Sequence, residues 1–457
     1  MDCKWSEIIS QKMNTYRKSM FEAERYIWEH PQTGFKEWDA HNYLKSVFVG
    51  MGFKLREAGN IPGFSFDIDT QKEGPTIAIV GELDALVIPI DAEFGGGTSV
   101  MHACGHHCQV SALIGVAGVL SDNDVLSKLC GKIRIVAVPA EELTELSERA
   151  QMRKDGKIKY LSGKSEFMSR GFFDGVDFAL MVHTGSGDKP GLSILPGCSG
   201  IVAKRVIYHG SKNVSGSTPA YGINALYAAQ TAMSSINALR ETFPQHQFVR
   251  SHSIITKGGQ TVQHIPSEVI VESNVRAYDY AVLKTINDKI NRAYVAGAVA
   301  FGAQVTIEDL EMYIPRNIID KPKLVNFAYE AGCDVFGSDN VTVTLSKDAT
   351  NSGGTDFGNL GAVIPALSLH CTGAVGSFHT HTFAIKNSEC AVFYPAVLQA
   401  TMACAFLENA AIKAKEVINE YKPIFSSMRD YFEEMDKFYS VKDSIDYTKD
   451  GGAILNW

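Results

Sequence analysis

Six residues, His102-Ala103-Cys104-Gly105-His106-His107, gather one thiol and three imidazoles directly before an apolar helical run, Val110 to Leu120. Thiolate and imidazole are the side chains that hold zinc and neighbouring transition metals. The glycine between Cys104 and His106 lets the backbone turn sharply there. A Cys-x-His pair alone makes no site. Taken by itself the segment reads more plainly as a buried cysteine with exposed histidines at a helix start. The rest of the chain offers Glu142, His183 and His379 as further ligands. With Cys104 and His106 that makes five, one more than a single tetrahedral zinc takes. The set suits two metals that share a bridging group and a water, an arrangement that polarises a carbonyl and generates hydroxide at neutral pH. A metal-bound Cys104 is a thiolate.

Hydrolysis at such a centre needs a base that is not itself a ligand. Glu141 and Glu142 are adjacent, and on extended backbone adjacent side chains point opposite ways. One of them binds metal while the other takes the water proton and hands it to the leaving amine. Asp84, two residues past Glu82 at a neighbouring strand end, suits the carboxylate that orients a ligand imidazole. Arg276 is a candidate to grip a substrate carboxylate bidentately, against the alternative of a surface charge on a strand edge.

These residues need elements to carry them. Trp5 to His30 and His41 to Met51 read as helices. Thr76 to Val80, Ile133 to Val138 and Phe178 to Val182 read as short apolar strands with helical stretches between them. Strands alternating with helices predict a largely parallel sheet covered on both faces. Each strand delivers acid or imidazole groups just past its carboxyl end: Asp84, then Glu141 with Glu142, then His183. That rim is where ligands bind in open α/β sheets.

The texture changes after Gly191. Ile201 to Tyr208 (strand), Gly222 to Phe243 (helix), Val249 to Thr256 and Val269 to Val275 (strands), Ala281 to Gly302 (helix) and Gln304 to Glu308 (strand) follow a βαββαβ order. That is the order of a ferredoxin-like unit. The α/β texture then returns, with a helix over Lys321 to Gly337 and strands over Val341 to Leu345 and Ala366 to His370. A glycine-rich loop covers Asn351 to Gly358, and a long helix runs from Glu389 to Lys415. The expected division is a catalytic domain in two parts, 1–198 and 312–420, interrupted by an inserted α+β lid, 199–311. A charged tail with scattered aromatics, 421–457, has no assigned role.

The chain has 457 residues, 45% of them hydrophobic and 21% charged, with a formal net charge of −8. There is no basic footprint for nucleic acid. The segment Met1 to Met20 has no apolar signal-like region, and no uninterrupted apolar stretch approaches the length needed to span a bilayer. Nine cysteines without pairing spacings read as reduced thiols. A cytoplasmic enzyme is the expectation.

Together, Gly81-Glu82-Leu83-Asp84-Ala85-Leu86, His102-Ala103-Cys104-Gly105-His106, Pro139-Ala140-Glu141-Glu142, His183-Thr184 and Gly354-Thr355-Asp356 resemble the M20 metallopeptidase family. The chain is most similar to its amidohydrolase branch of aminobenzoyl-glutamate and N-acyl-amino-acid hydrolases. The resemblance spans about residues 10 to 415. It implies a metallo-exopeptidase-like catalytic domain of mixed, mostly parallel sheet, a lid that also makes a homodimer, and a small-molecule amide substrate. It implies two divalent ions, zinc first, with manganese, cobalt or nickel also fitting. The implied ligands are Cys104, His106, Glu142, His183 and His379, with Glu141 as base and Asp84 behind the site. His379 stands four residues before Phe383 and is preferred to His381. Gly354 and Thr355 fall on the substrate side. His107 departs from the usual Asp or Asn and reads as a satisfied surface residue in preference to an extra ligand. In the lid, Val214 stands where an oxyanion-donating histidine is expected, beside Asn213, and Gln263 replaces an asparagine before Pro266. A metal-containing binding or regulatory paralogue is the alternative reading.

Overall fold

The computed structural model describes residues 4–346, 353–439, 441–450 and 452–456, leaving aside the Phe94 side chain. Asn351 and Ser352 of the expected glycine-rich loop lie outside the described residues. The chain opens with two helices, α1 (Trp5–Met13) and α2 (Arg17–Glu29). The single helix expected over Trp5 to His30 is broken around Asn14 to Tyr16. The break lets both segments pack their apolar sides, Ile9 and Met13, then Met20, Ala23 and Ile27, into one core.

After a further helix, Trp38–Gly50, and a short strand, Arg56–Glu57, come the strands β1 (Phe64–Asp69) and β2 (Thr76–Glu82), then helix α3 (His106–Leu120), β3 (Lys132–Val138) and β4 (Phe178–Ser186). The second unit follows as β5 (Gly200–His209), α4 (Ala225–Leu239), β6 (Arg250–Lys257), β7 (Glu268–Ala277), α5 (Tyr280–Phe301) and β8 (Gln304–Tyr313). The chain then returns through β9 (Ala366–Val375) and α6 (Tyr394–Leu407) to α7 (Met428–Phe438) and β10 (Val441–Asp443).

The large sheet runs β1-β3-β2-β4-β9, with the short Arg56–Glu57 strand outside β1 and the short Leu192–Ile194 and Val341–Val343 strands beyond β9. From β3 through β9 every pairing is parallel, while β1 and the Leu192–Ile194 strand pair antiparallel. This is the mixed, mostly parallel α/β sheet that the strand–helix alternation predicts. Helix α3 is buried along its whole length, so its apolar residues recur on every face rather than in one stripe. The segment Glu389–Leu407 is long and apolar enough to cross a membrane, but 89% of it is packed inside the protein. The reading that no stretch reaches that length is corrected: this is a core helix. It opens with a π-helical turn, Glu389–Phe393, and stops at Leu407. A left-handed kink at Asn409 to Ala411 then separates it from Ile412–Glu420, so the long helix expected to Lys415 is two.

The second sheet runs β6-β7-β5-β8, the strand order of a ferredoxin-like unit, with α4 and α5 packed on it. The tail has a structural role that its sequence does not announce. Its β10 pairs antiparallel with β8, closing that edge of the sheet. Tyr431 and Met435 of α7 are fully buried. Tyr431 hydrogen-bonds Ser165 of the first unit, and Tyr439 donates to Glu311 of β8. The tail therefore ties the two units together and covers part of the β8 edge.

Candidate metal centre

Between the large sheet's carboxyl rim and the face of β5, β6 and β7 lies a cleft of about 1180 Å³. The rim supplies the chemistry. Cys104 precedes Gly105, which has φ +87°, and a Cβ at that glycine would meet Thr184 at 2.7 Å. A side chain there would be strained and would collide, so the sharp turn needs glycine. The turn aims Cys104 into the cleft and starts α3 at His106.

Cys104 Sγ lies 3.4 Å from His183 Nε2 on one side and 3.4 Å from His379 Nε2 on the other. His379 Nε2 is also 3.1 Å from Glu142 Oε1. Two groups of potential ligand atoms therefore share the cysteine: Cys104, His106 and His183, and Cys104, Glu142 and His379. Tetrahedral zinc, with bonds of about 2.0–2.3 Å, sets its ligands roughly 3.3–3.8 Å apart, close to the separations here. His106 Nε2, buried, lies 3.2 Å from Glu82 Oε2, and Glu142 Oε1 faces His379. Buried imidazoles and carboxylates gathered around one cysteine are the donor types that a divalent ion takes. Burial and Glu142 both raise the Cys104 thiol, yet His106 and His183 outweigh them and bring it down to about 6, toward thiolate. The donor set thus fits divalent metal, which Cys104, His106, His183, Glu142 and His379 would hold. His381, the rival for the last position, instead faces Asp91 at 3.7 Å.

Asp84 sits behind this group. One of its oxygens is 3.1 Å from His106 Nδ1, and the other accepts the Glu142 N–H at 2.8 Å. One carboxylate so fixes an imidazole and the backbone of a second ligand. Glu141 and Glu142 do not point opposite ways. Both reach the neighbourhood of His106, because Ala140 before them has φ +56° and breaks the extended run. His379 has φ +61°, and strained backbone of this kind concentrates at functional sites. Burial, then the charges of Glu82 and Glu142, raise the Glu141 carboxyl well above the usual range. A raised carboxyl is suited to holding and releasing a proton.

Beneath Glu141 lies an ion cluster that the sequence reading did not single out. Lys164, fully buried, bonds both Glu82 and Asp356. Burial raises Glu82, but Lys164 and His106 hold it well below the usual range, at about 2. Removing one partner of such a cluster strands a buried charge. Lys164→Met is expected to cost about 3–5 kcal/mol in denaturant unfolding, while Lys159→Met, at an exposed pair with Asp436, costs under about 1 kcal/mol.

Arg276 on β7, Gly354 and Thr355 also line the cleft. Arg276 lies near enough to Glu142 and Glu141 to interact with their charges. His370 of β9 pairs in register with His183 and also lines the cleft. Like His183 it sits near the end of an apolar strand, so the signal was available. Asn213, Val214 and Gln263 are not brought to the cleft lining. They lie in exposed loops of the second unit, where Val214 bridges His264 and the Asn213 side-chain oxygen accepts from the Val214 N–H. His107 is not a surface residue: it is wholly buried, because α3 enters the core at its first turn.

The N-acetyl-L-cysteine deacetylase of Bacillus subtilis (strain 168) is 24% identical to this chain over 310 residues, 65% of this chain and 68% of that protein. The mouse (Mus musculus) Xaa-Arg dipeptidase is 28% identical over 375 residues, 80% and 77% of the two chains. A solved dinuclear metal-binding peptidase of the M20 family from Bacillus subtilis superposes with a TM-score of 0.60 at 19% identity, covering 86% of this chain and 99% of that one. Its likeness is one of fold. The model of the peptidase family M20/M25/M40 matches residues 63–401. With that match spanning most of the chain and hydrolases among its relatives, the protein is an enzyme of the metal-dependent amide-hydrolysing kind and belongs to peptidase family M20/M25/M40.

Proposed function

We propose that this enzyme cleaves the amide joining an acyl or aminoacyl group to an amino acid with a free carboxylate, at two divalent ions that Cys104, His106, Glu142, His183 and His379 would hold, with Cys104 common to both ligand groups. The observation that carries this reading is the shared cysteine. It has His106 and His183 on one side and Glu142 and His379 on the other, with Glu141 beside them. The Bacillus and mouse relatives are named for N-acetyl-cysteine and for dipeptides ending in arginine, and the dinuclear solved relative supports a count of two. Mixed sulfur, nitrogen and oxygen donors favour zinc, with manganese, cobalt and nickel as alternatives.

When bound, the ions polarise the amide carbonyl and acidify water. The chain's own residues do the rest. Asp84 fixes the His106 ring. Glu141 takes the proton of the attacking water and passes it to the leaving amine nitrogen. Arg276 holds the substrate carboxylate against the far wall. A panel of N-acyl amino acids and dipeptides, offered to metal-replete enzyme, tests this. Hydrolysis that chelator abolishes is expected. Arg276→Ala should raise KM by about 10- to 100-fold for carboxylate substrates and far less for their C-terminal amides. Metal-loaded enzyme that cleaves none of the panel overturns the reading.

We also propose a homodimer through the lid. Strand β6 is the open edge of its sheet, and Ile254, Ile255, Tyr227, Val299 and Phe301 are exposed on this unit. Exposed apolar area of this kind marks contact surfaces. Tyr227→Glu combined with Phe301→Glu should convert dimer to monomer in light scattering at micromolar concentration. A wild-type monomer there contradicts the assignment. The eight described cysteines are all free, which supports a reducing, cytoplasmic setting.

A further inference from the structure

Glu141 and Glu142 owe their aim to Ala140, whose φ is +56°. Alanine does not hold that conformation unaided, because its Cβ crowds the following carbonyl. The surroundings must therefore fix it. Ala140 is fully buried, so its N–H and C=O both need partners inside the protein. The C=O accepts from the Gly163 N–H at 2.9 Å. The N–H donates to Glu37 Oε1 at 2.8 Å.

Glu37 comes from 103 residues earlier in the chain. It is 0% exposed and stands just ahead of the helix Trp38–Gly50. A buried carboxyl group is costly to keep, and this one is spent on the backbone of the turn that carries Glu141. The segment before it is shaped for close approach. A Cβ on Gly34 would meet the Ala140 Cβ at 2.8 Å and would also collide with the Arg149 guanidinium. Phe35 has φ +65°, and Arg149 lies over its ring, 5.5 Å from the centroid. The same segment holds the neighbouring strand end. The Gln32 carbonyl accepts the Ala85 N–H at 2.8 Å, and Thr33 bridges Ala85, the residue after Asp84. One stretch of chain, Gln32 to Glu37, thus straps both of the rim ends that deliver carboxylates.

We propose that Glu37 is a positioning residue for the hydrolysis: its side-chain oxygen pins the Ala140 N–H, holds Ala140 left-handed, and so keeps Glu141 at the ligand group. It touches neither substrate nor metal and acts through the backbone. The rest of the turn has its own anchors. The Tyr313 hydroxyl donates to the Glu141 carbonyl, and Asp84 accepts the Glu142 N–H at 2.8 Å. Loss of the Glu37 bond therefore frees the turn at its first residue and leaves the ligand Glu142 held. The inference rests on the assignment of Glu141 as the base.

This role needs reach, not the carboxyl group itself. Glu37→Gln keeps an oxygen at the same reach. Glu37 Oε2 has no hydrogen-bond partner among the described residues, so the new amide nitrogen displaces none. Glu37→Asp keeps the carboxyl group but draws it back by one methylene. In the metal-loaded full chain, Glu37→Asp should lower kcat by about 10- to 100-fold. Its KM should stay within about threefold of wild type, with the ion count unchanged. Glu37→Gln should stay within about threefold in both constants. Hydrogen exchange at the Ala140 amide reads the pin without turnover. It should be about tenfold or more faster in Glu37→Asp than in wild type, and unchanged in Glu37→Gln. Equal exchange in Glu37→Asp and wild type overturns the pin. Turnover lost in Glu37→Gln, or kept in Glu37→Asp despite faster exchange, overturns the positioning role. A wild type that cleaves none of the panel overturns the assigned reaction instead, and the exchange comparison then decides the pin by itself.

Discussion

Glu141→Gln should lower turnover by about two to four orders of magnitude while the protein keeps its fold and its catalytic ions. The glutamine keeps the size of the side chain and loses only the ability to accept the water proton. Glu141 is buried beside the ligand group but interacts on its other side with the Glu82–Lys164–Asp356 cluster. Glu142→Gln should behave differently. Glu142 Oε1 contacts His379 and its backbone N–H is held by Asp84, so the substitution should release metal as well as activity. Elemental analysis beside steady-state kinetics separates the two. If Glu141→Gln loses an ion and Glu142→Gln does not, the roles of the two carboxylates are exchanged.

Cys104→Ala should have an effect at least as large on metal content. Because Sγ stands between both ligand groups, its removal leaves His106 with His183, and Glu142 with His379, as two incomplete sets. At least one catalytic ion should be lost, and turnover with it. Cys130→Ala serves as the control: that thiol is also buried, but it donates to the Leu407 carbonyl, far in sequence from the rim. A catalytic pair retained at full occupancy in Cys104→Ala would mean that the cysteine is a neighbour of the ions and not their bridge.

Much of this was legible before any coordinates. The alternation of apolar strands and helices gave the parallel sheet, and acids and imidazoles past three strand ends gave its functional rim. The βαββαβ order gave the inserted unit. These signals are local in sequence, so spacing and periodicity carry them. What was missed depends on contacts between distant segments. Lys164 lies on a short helix, Gly163–Ser169, and only the fold brings it to Glu82 and Asp356, 82 and 192 residues away. The side on which Glu141 falls turns on one left-handed residue, Ala140, a conformation that alanine does not advertise. His107 looked like a surface residue because polar side chains at a helix start usually are. The burial of α3 on all faces, visible in its unbroken apolar run, was the available warning. The tail's aromatics, Tyr431 and Tyr439, read as scattered because their partners, Ser165 and Glu311, lie in two other units.

The central claim is a pair of divalent ions sharing the Cys104 thiolate. Anomalous diffraction from crystals grown with zinc tests it most directly. The account predicts two peaks on either side of Cys104 Sγ, each about 2.3 Å from it and about 3.5–4 Å apart. One should be ligated by His106 and His183 and the other by Glu142 and His379, with Glu141 bound to neither. A single ion, or ions that leave Cys104 unligated, would contradict it.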